Sequence, residues 1–326
     1  MQTHCHGTRH GARPSVWCWA AGAQGLAESI TPARAVEAGW GRWGEELAAL
    51  GPWAEAPYPW DHASRGPVSP GDAALPPVVL AGPCSSGLDV AWRLFATWDA
   101  PEYSSILAVT QWAGRGQVRR PWSSPPENLH VVIRWPNAGI LGGPLAFLAA
   151  GLAVAETLGQ LGVDVQLKWP NDVLWQGRKI AGLLVEERGG AMVVGMGVNL
   201  GWAPSPKDLR EGYAVEAAAL GWKTGPVLFW LTCLPRLISI CNTLNLFAPE
   251  ELCQMAERRL AWLGQAVALQ DAQTTDGRLF DKLVATVVGV GVDGSLQGLV
   301  DGRVASFSAA AVRLLSTSTF RLDRSS

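Results

Sequence analysis

Hydrophobic residues recur at three- and four-residue spacing at Leu145, Leu148, Ala149, Leu152, Ala155 and Leu158. That is the period of a helix laying one apolar stripe against a sheet. The period then changes to two. Val163, Val165, Leu167 and Trp169 alternate with Asp164, Gln166 and Lys168, predicting a strand that sends Lys168 to the face opposite the tryptophan and that Pro170 stops. Further strands are predicted over 173–175, 179–186 and 192–200, joined by Gln176-Gly177 and Gly189-Gly190 turns. This meander brings Lys168 and Lys179 close together. Gly182, Gly195 and Gly197 fall inside these strands, where glycine weakens packing unless something must approach the backbone closely.

Upstream, apolar runs at 78–80, 106–110 and 128–135 read as strands, and 91–98 as a helix following Ser85-Ser86. Helical patterns occupy 225–245 and 249–261, the second opened by Pro249 with Glu250 and Glu251 in its first turn. Beyond Gly264 the pattern is all β. Asp293-Gly294 and Asp301-Gly302 are hairpin turns, so the C-terminal region forms a small barrel. Residues 1–74 lack this order: they hold Trp17, Trp19, Trp40, Trp43, Trp53 and Trp60 among prolines and glycines, and read as an irregular wrapping segment. Their one clear signal is Thr31-Pro32, an N-cap followed by proline at the first helical position, opening a helix that stops near Gly39.

Composition narrows the functional classes. Charged residues are 17% of the 326, against a usual ~25%, while 48% are hydrophobic, so the chain is globular. With 26 basic and 28 acidic residues, it has no general electrostatic grip on nucleic acid or acidic lipid, and any anion must be held by local charge. Six cysteines without a C-x-x-C pair read as thiols in a reducing cytoplasm. The apolar run 145–155 falls short of the ~20 residues of a membrane span, and the stretch 16–23 is too short for a signal peptide. His4, Cys5, His6 and His10 resemble a metal cluster but have no folded frame around them.

Four segments carry chemistry: the stretch from Gln111 through Gly114, Arg115, Gly116 and Gln117 to Trp122; Lys168-Trp169-Pro170-Asn171-Asp172-Val173; Lys179 to Glu186; and Gly195-Met196-Gly197-Val198-Asn199. Arg115, Lys168 and Lys179 supply positive charge, and the amides around Gly114 and Gly116 are open to phosphate oxygens. Taken alone, Lys168 and Lys179 are solvated strand lysines, Asp172 caps a turn, and Ser85 and Ser86 cap a helix. Gly195 and Gly197 alone serve sheet packing.

In this order and spacing the four segments closely resemble the biotin protein ligase family, over about residues 75–316. The resemblance implies an α+β catalytic domain at 75–258, a mixed sheet backed by helices, then an SH3-like barrel at 259–318 and a tail at 319–326. It implies an ATP-dependent ligase that activates biotin to biotinyl-5'-AMP with Mg2+ and transfers it to a lysine of a biotin carboxyl carrier protein, an acyl-CoA carboxylase subunit. By resemblance, Ser85, Ser86 and Gln111 meet biotin. Arg115 holds its carboxylate and the α-phosphate, and Lys179 contacts both during adenylation. Lys168, Asn171 and Gly116 lie near the phosphates, Asp172 near the metal and Asn199 near the adenine. Gly114, Gly182 and Gly197 let the ligand lie against the backbone.

Two positions depart from the family pattern. Gln117 stands where an arginine is frequent, removing a cation that Arg119 or Arg120 would have to replace, and Gly87 ends a Ser-Thr-Asn run that here reads Ser85-Ser86-Gly87. Regulatory members carry an N-terminal helix-turn-helix, which residues 1–74 do not offer, so no nucleic-acid partner is expected, nor a membrane; the chain is a monomer or weak homodimer. The rival readings are a lipoate or octanoate ligase or transferase on the same fold, and a catalytically silent biotin sensor.

Overall fold

A computed structural model describes residues 13–117, 120–205 and 215–315. The His4, Cys5, His6 and His10 group, Arg119 and the tail at 319–326 lie outside the described residues. The chain divides into two compact units: 1–136 with 186–200 and 222–235, and 137–185 with 201–221 and 236–326.

The first unit is built on a mixed sheet. Its strands are β1 (Val16–Cys18), β2 (Ala54–Tyr58), β3 (Asp61–Ser69), β4 (Val78–Ala81), β5 (Ser105–Ala108), β6 (Leu129–Trp135) and β10 (Ala191–Val198), in the order β2-β3-β1-β4-β5-β6-β10. β1 runs parallel to β4 and β4 to β5, while the remaining pairs are antiparallel. β4 and β5 are buried along their whole length, which explains their continuous apolar sequence. Helix α3 (Gly87–Phe95), with Ser86 at its N-cap, packs on β5, β6 and β10.

Residues 13–74 differ from the irregular segment that their composition predicts. They supply β1, β2 and β3 to this sheet, with α1 (Pro32–Glu37) and α2 (Trp43–Ala49) between. These strands show no period-two pattern because Pro57 in the edge strand β2 and Pro67 in its neighbour β3 interrupt any alternation. The Thr31 cap forms as expected, its hydroxyl accepting from the Arg34 amide at 3.1 Å. Three of the six tryptophans are core material: Trp19 and Trp60 are buried and Trp43 fully so, and Trp60 stacks on Tyr58 with ring centroids 4.6 Å apart.

The second unit holds α4 (Ala146–Gln160), the antiparallel strands β7 (Gln166–Lys168), β8 (Asp172–Trp175) and the first part of β9 (Arg178–Arg188), and α6 (Pro249–Arg259). It ends in a closed barrel of β11 (Ala266–Thr274), β12 (Leu279–Val290), β13 (Leu296–Val300) and β14 (Arg303–Leu314). The sequence predicts one apolar stripe on α4. The helix is instead buried on almost every side from Ala146 to Leu158, because its alanines and Gly151 let neighbours approach closely. A Cβ at Gly151 would sit 3.5 Å from Leu167.

Helix α5 (Pro226–Leu244) is long and apolar enough to cross a membrane by length and composition, with 44% of that window buried, a feature that the search for apolar runs missed. Pro235 and Arg236 sit at its middle, where a charge is costly in lipid. Its first turn is capped from α2: the buried Glu46 carboxylate accepts from the Val227 amide at 3.0 Å and the Leu228 amide at 3.4 Å. Gly225 is required there, since a Cβ would fall 2.6 Å from Glu46 Oε2. Burial pushes the Glu46 carboxyl up, and these amides oppose the shift. All five described cysteines are buried, and none of them is in a disulfide.

Glu46→Ala leaves these first-turn donors without an acceptor. Urea denaturation should show about 2 kcal/mol of lost stability at an unchanged m-value.

Candidate functional site

The candidate residues form two groups, one in each unit. In the first, the loop after β4 and the loop after β5 run side by side. The Cys84 amide donates to Thr110 O, Trp112 N to Cys84 O and Ala113 N to Ser85 O, all within 3.0 Å. Gln111 projects from this pairing and spends its amide in both directions: Oε1 accepts from the Gly87 amide at 2.7 Å, and Nε2 donates to Ser124 Oγ at 2.9 Å. Gly87 fits here because a Cβ would press to 3.1 Å from Val132. The two serines divide their duties. Ser86, buried, accepts from the Leu88 amide as the N-cap of α3, while half-buried Ser85 donates to Asp89 Oδ2 at 3.1 Å.

Asp89 also binds Arg115. Its Oδ1 lies 2.7 Å from the guanidinium, and Glu186 stands 3.8 Å from Arg115 Nε. Glu186 is itself fixed by the Trp92 indole N–H at 2.8 Å and by Arg188 at 3.0 Å, with Arg188 lying over the Trp92 ring. Arg115 thus rests in a carboxylate clamp, held charged and aimed. Asp89 and Glu186 hold a candidate site residue without being marked in the sequence: Asp89 reads as an ordinary first-turn acid, and Glu186 ends the Lys179–Glu186 segment with nothing to show a role.

The Arg115 loop doubles back on itself. Arg115 bridges to Pro121, Gly116 N donates to Arg120 O and Trp122 N to Gly114 O. Gly114 has no room for a side chain, since a Cβ would lie 2.7 Å from Trp122 O. Gln117 and Arg120 are exposed. Gly197 on β10, expected to admit a ligand, faces Trp122 in this structure, and a Cβ there would fall 2.4 Å from the indole ring. Trp122 is a third residue that the sequence does not mark. Asn199, just past β10, is buried beside Asn128, whose Nδ2 donates to it at 3.4 Å.

Across from Gly197 on β6 lies His130, with Nε2 3.0 Å from Pro125 O. Burial drives its imidazole down to about 4, against the pull of that carbonyl, so it is neutral at pH 7.

In the second unit β7, β8 and β9 form the expected meander, although the strand predicted from Val163 to Trp169 is confined to Gln166–Lys168. Lys168, Asp172 and Gly182 sit in one cross-strand row on β7, β8 and β9. Asp172 accepts from Lys168 Nζ at 2.9 Å and from Lys179 Nζ at 2.5 Å, so the two lysines meet through a shared carboxylate. Burial raises the Asp172 carboxyl, but the two ammonium groups outweigh it and hold it at about 2. Trp169 leaves the strand separately and donates to Gly294 O. Asn171 is committed to structure, with Nδ2 donating to Leu183 O at 2.8 Å, rather than open to a phosphate.

The resemblance places Mg2+ at Asp172, and the donor set does not fit. Both carboxylate oxygens are taken by lysines, and among the described residues no group of three or more His, Cys, Asp or Glu is disposed to hold a metal. Asp172 is a counter-ion that keeps two cations together.

The model of the biotin/lipoate A/B protein ligase family matches residues 85–202. A biotin–(acetyl-CoA-carboxylase) ligase of Paracoccus denitrificans is 38% identical over 126 residues, 36% of this chain and 52% of that protein. The bifunctional ligase/repressor BirA of Escherichia coli K12 is 41% identical over 107 residues, 29% of this chain and 32% of its own length. The chain therefore spans about half or less of these curated relatives. A biotin protein ligase from Aquifex aeolicus, solved in complex with biotin and ATP, superposes with a TM-score of 0.58 at 22% identity, over 74% of this chain and 99% of that one, so the fold is shared.

Two outcomes follow from these charges. Asp172→Asn strands two lysine ammoniums without their anion, and chemical denaturation should show a loss of about 3 kcal/mol or more. The His130 pKa lies below the ordinary ~6.5, so the unfolded chain takes up the proton first. Stability attributable to His130 is present above pH 6.5 and falls between 6.5 and about 4. His130→Phe should flatten the slope of unfolding free energy against pH in that window.

Proposed function

We propose that the chain is an ATP-dependent biotin protein ligase, a reading supported by the match of residues 85–202 to the biotin/lipoate A/B protein ligase family model. It activates biotin to biotinyl-5'-AMP and passes the acyl group to a lysine of a biotin carboxyl carrier protein. The observation that carries this reading is the Arg115 clamp. A guanidinium held by Asp89 and Glu186, next to Ser85 and Gln111, is a receptor for an incoming carboxylate. The names of the Paracoccus and Escherichia relatives support the same chemistry.

In the first step a biotin carboxylate oxygen attacks the α-phosphorus of ATP, which arrives with its magnesium as substrate. One P–O bond forms, the bond to the pyrophosphate breaks, and an acyl phosphate anhydride results. The chain's work is to gather and neutralise negative charge. Arg115 exchanges its internal carboxylates for the substrate carboxylate and the α-phosphate. Lys179 leaves Asp172 for a phosphate oxygen as charge builds, while Lys168, more deeply buried, keeps Asp172 paired and adds positive field. Ser85, Ser86 and Gln111 meet the polar ring of biotin; Gly114, Gly116, Gly182 and Gly197 allow close approach to backbone; Asn199 borders the nucleotide, while Asn171 braces the strand behind it through Leu183 O. In the second step the carrier amine attacks the acyl carbon, the C–O bond to AMP breaks, and the amine loses its proton. No covalent enzyme intermediate is needed.

Pyrophosphate exchange into ATP, with biotin, lipoate or octanoate as the acid, tests this directly. Exchange with biotin alone is expected. Exchange with lipoate or octanoate would move the protein to the sister activities, and biotin binding without exchange would make it a sensor. Lys179→Ala should lower biotin-dependent exchange by 10²-fold or more and leave the folded state intact, because Lys168 still pairs with Asp172.

A further inference from the structure

The helix α2 reaches the ligand-facing loop. Trp43, fully buried on α2, donates its indole N–H to the Pro126 carbonyl at 3.0 Å. From β6, His130 donates through Nε2 to the adjacent Pro125 carbonyl at 3.0 Å, where the Asn128 amide also arrives at 3.1 Å. Prolines have no N–H with which to join a ladder, so these carbonyls are the polar handles by which the Pro125-Pro126 pair is held. Immediately before it runs the strap Trp122-Ser123-Ser124. Its indole lies on Gly197, Ser124 accepts from Gln111, and the Trp122 amide is bound to Gly114 O. The strap therefore touches Gln111, Gly114 and Gly197, positions that the ligase reading gives to the ligand.

We propose that the segment 13–74 is a working part of the ligand cleft. Trp43 and His130 are positioning residues that clamp Pro125-Pro126 from two sides, and the clamp holds Trp122 on Gly197 and Ser124 on Gln111. Biotin affinity then depends on a residue outside the family-matched segment 85–202. Neither positioning residue touches the ligand; they act through the strap. The inference rests on the biotin ligase reading only for the identity of the ligand, since the clamp is a property of the chain itself.

The test uses the full chain and three variants. Trp43→Phe keeps the ring and removes the N–H, His130→Phe removes the opposite pin, and Trp53→Phe is the control, because the Trp53 indole donates to Leu47 O within the same segment. Hydrogen–deuterium exchange without ligand should show amides of 113–127 exchanging about fivefold faster in Trp43→Phe and His130→Phe, the weight of one neutral hydrogen bond. β4 and β5 should remain as in the parent, and Trp53→Phe should leave 113–127 unchanged. In pyrophosphate exchange the KM for biotin should rise about fivefold in the first two variants while kcat stays within twofold. Parent-like exchange of 113–127 in both variants overturns the proposal, as does an equal acceleration in Trp53→Phe, which marks general loosening. If Trp43→Phe does not fold, His130→Phe carries the decision through the other pin. Should the parent chain bind no biotin, the ligase reading falls while the exchange comparison still decides the clamp.

Discussion

A cation that waits for an anionic ligand must be kept charged, aimed and partly dry before the ligand arrives, and only an internal anion can do all three. Both charged groups of this chain obey that constraint. Lys168 and Lys179 converge on Asp172, which sits between them in a cross-strand row. Arg115 is held by Asp89 and Glu186, which are themselves tied to Ser85, Trp92 and Arg188. The energetic logic is exchange rather than capture. On the proposed ligase reading, an arriving carboxylate or phosphate replaces a carboxylate already in place, so the guanidinium or ammonium is never stranded, and the net gain in binding is the difference between two pairings. Such sites bind moderately and discriminate well, because only an anion of the right geometry displaces the resident one.

Close backbone approach is the second constraint, and it is met by glycine at specific places. Gly114 lies under Trp122 O, Gly197 under the Trp122 ring, and Gly225 against the Glu46 carboxylate. In each case the missing Cβ is space that another group already fills. Glycine inside a strand therefore indicates that something lies against the backbone. It does not say whether that something is a ligand or a tryptophan from the same chain.

Much of this was legible in the sequence, for identifiable reasons. The 163–200 meander follows from strict alternation and paired turn residues, and Lys168 and Lys179 are adjacent as that alternation requires. Ser86 caps α3, and Thr31 caps α1. The near-complete burial of α4 was hidden because alanine and glycine register weakly in an apolar stripe yet pack closest. The β-structure of 13–74 was hidden by prolines in β2 and β3, whereas α5 follows from the helical pattern at 225–245, and only its overall apolarity was masked by the polar and proline positions along it. The partners of Arg115 were also beyond reach: Asp89 lies in the first turn of α3, four residues after Ser85, but Glu186 comes from a distant strand, and no local pattern links it to Arg115. The assignment of Asp172 to magnesium failed for a related reason, since spacing places a carboxylate near lysines without showing that both its oxygens are consumed.

These features imply a division of labour between the family-matched segment and the rest of unit 1. Residues 85–202 contain Arg115 and its two carboxylates, and nothing in 13–74 contributes a charge to that group. The added segment supplies apolar area and hydrogen-bond donors instead: the Tyr58–Trp60 stack on the far side of the sheet order, Glu46 on the first turn of α5, and Trp43 on Pro126. Donors placed on carbonyls fix geometry without altering local net charge. A segment of that kind can change how rigidly a loop is presented while leaving the electrostatics of the anion receptor untouched, so it tunes affinity through pre-organisation.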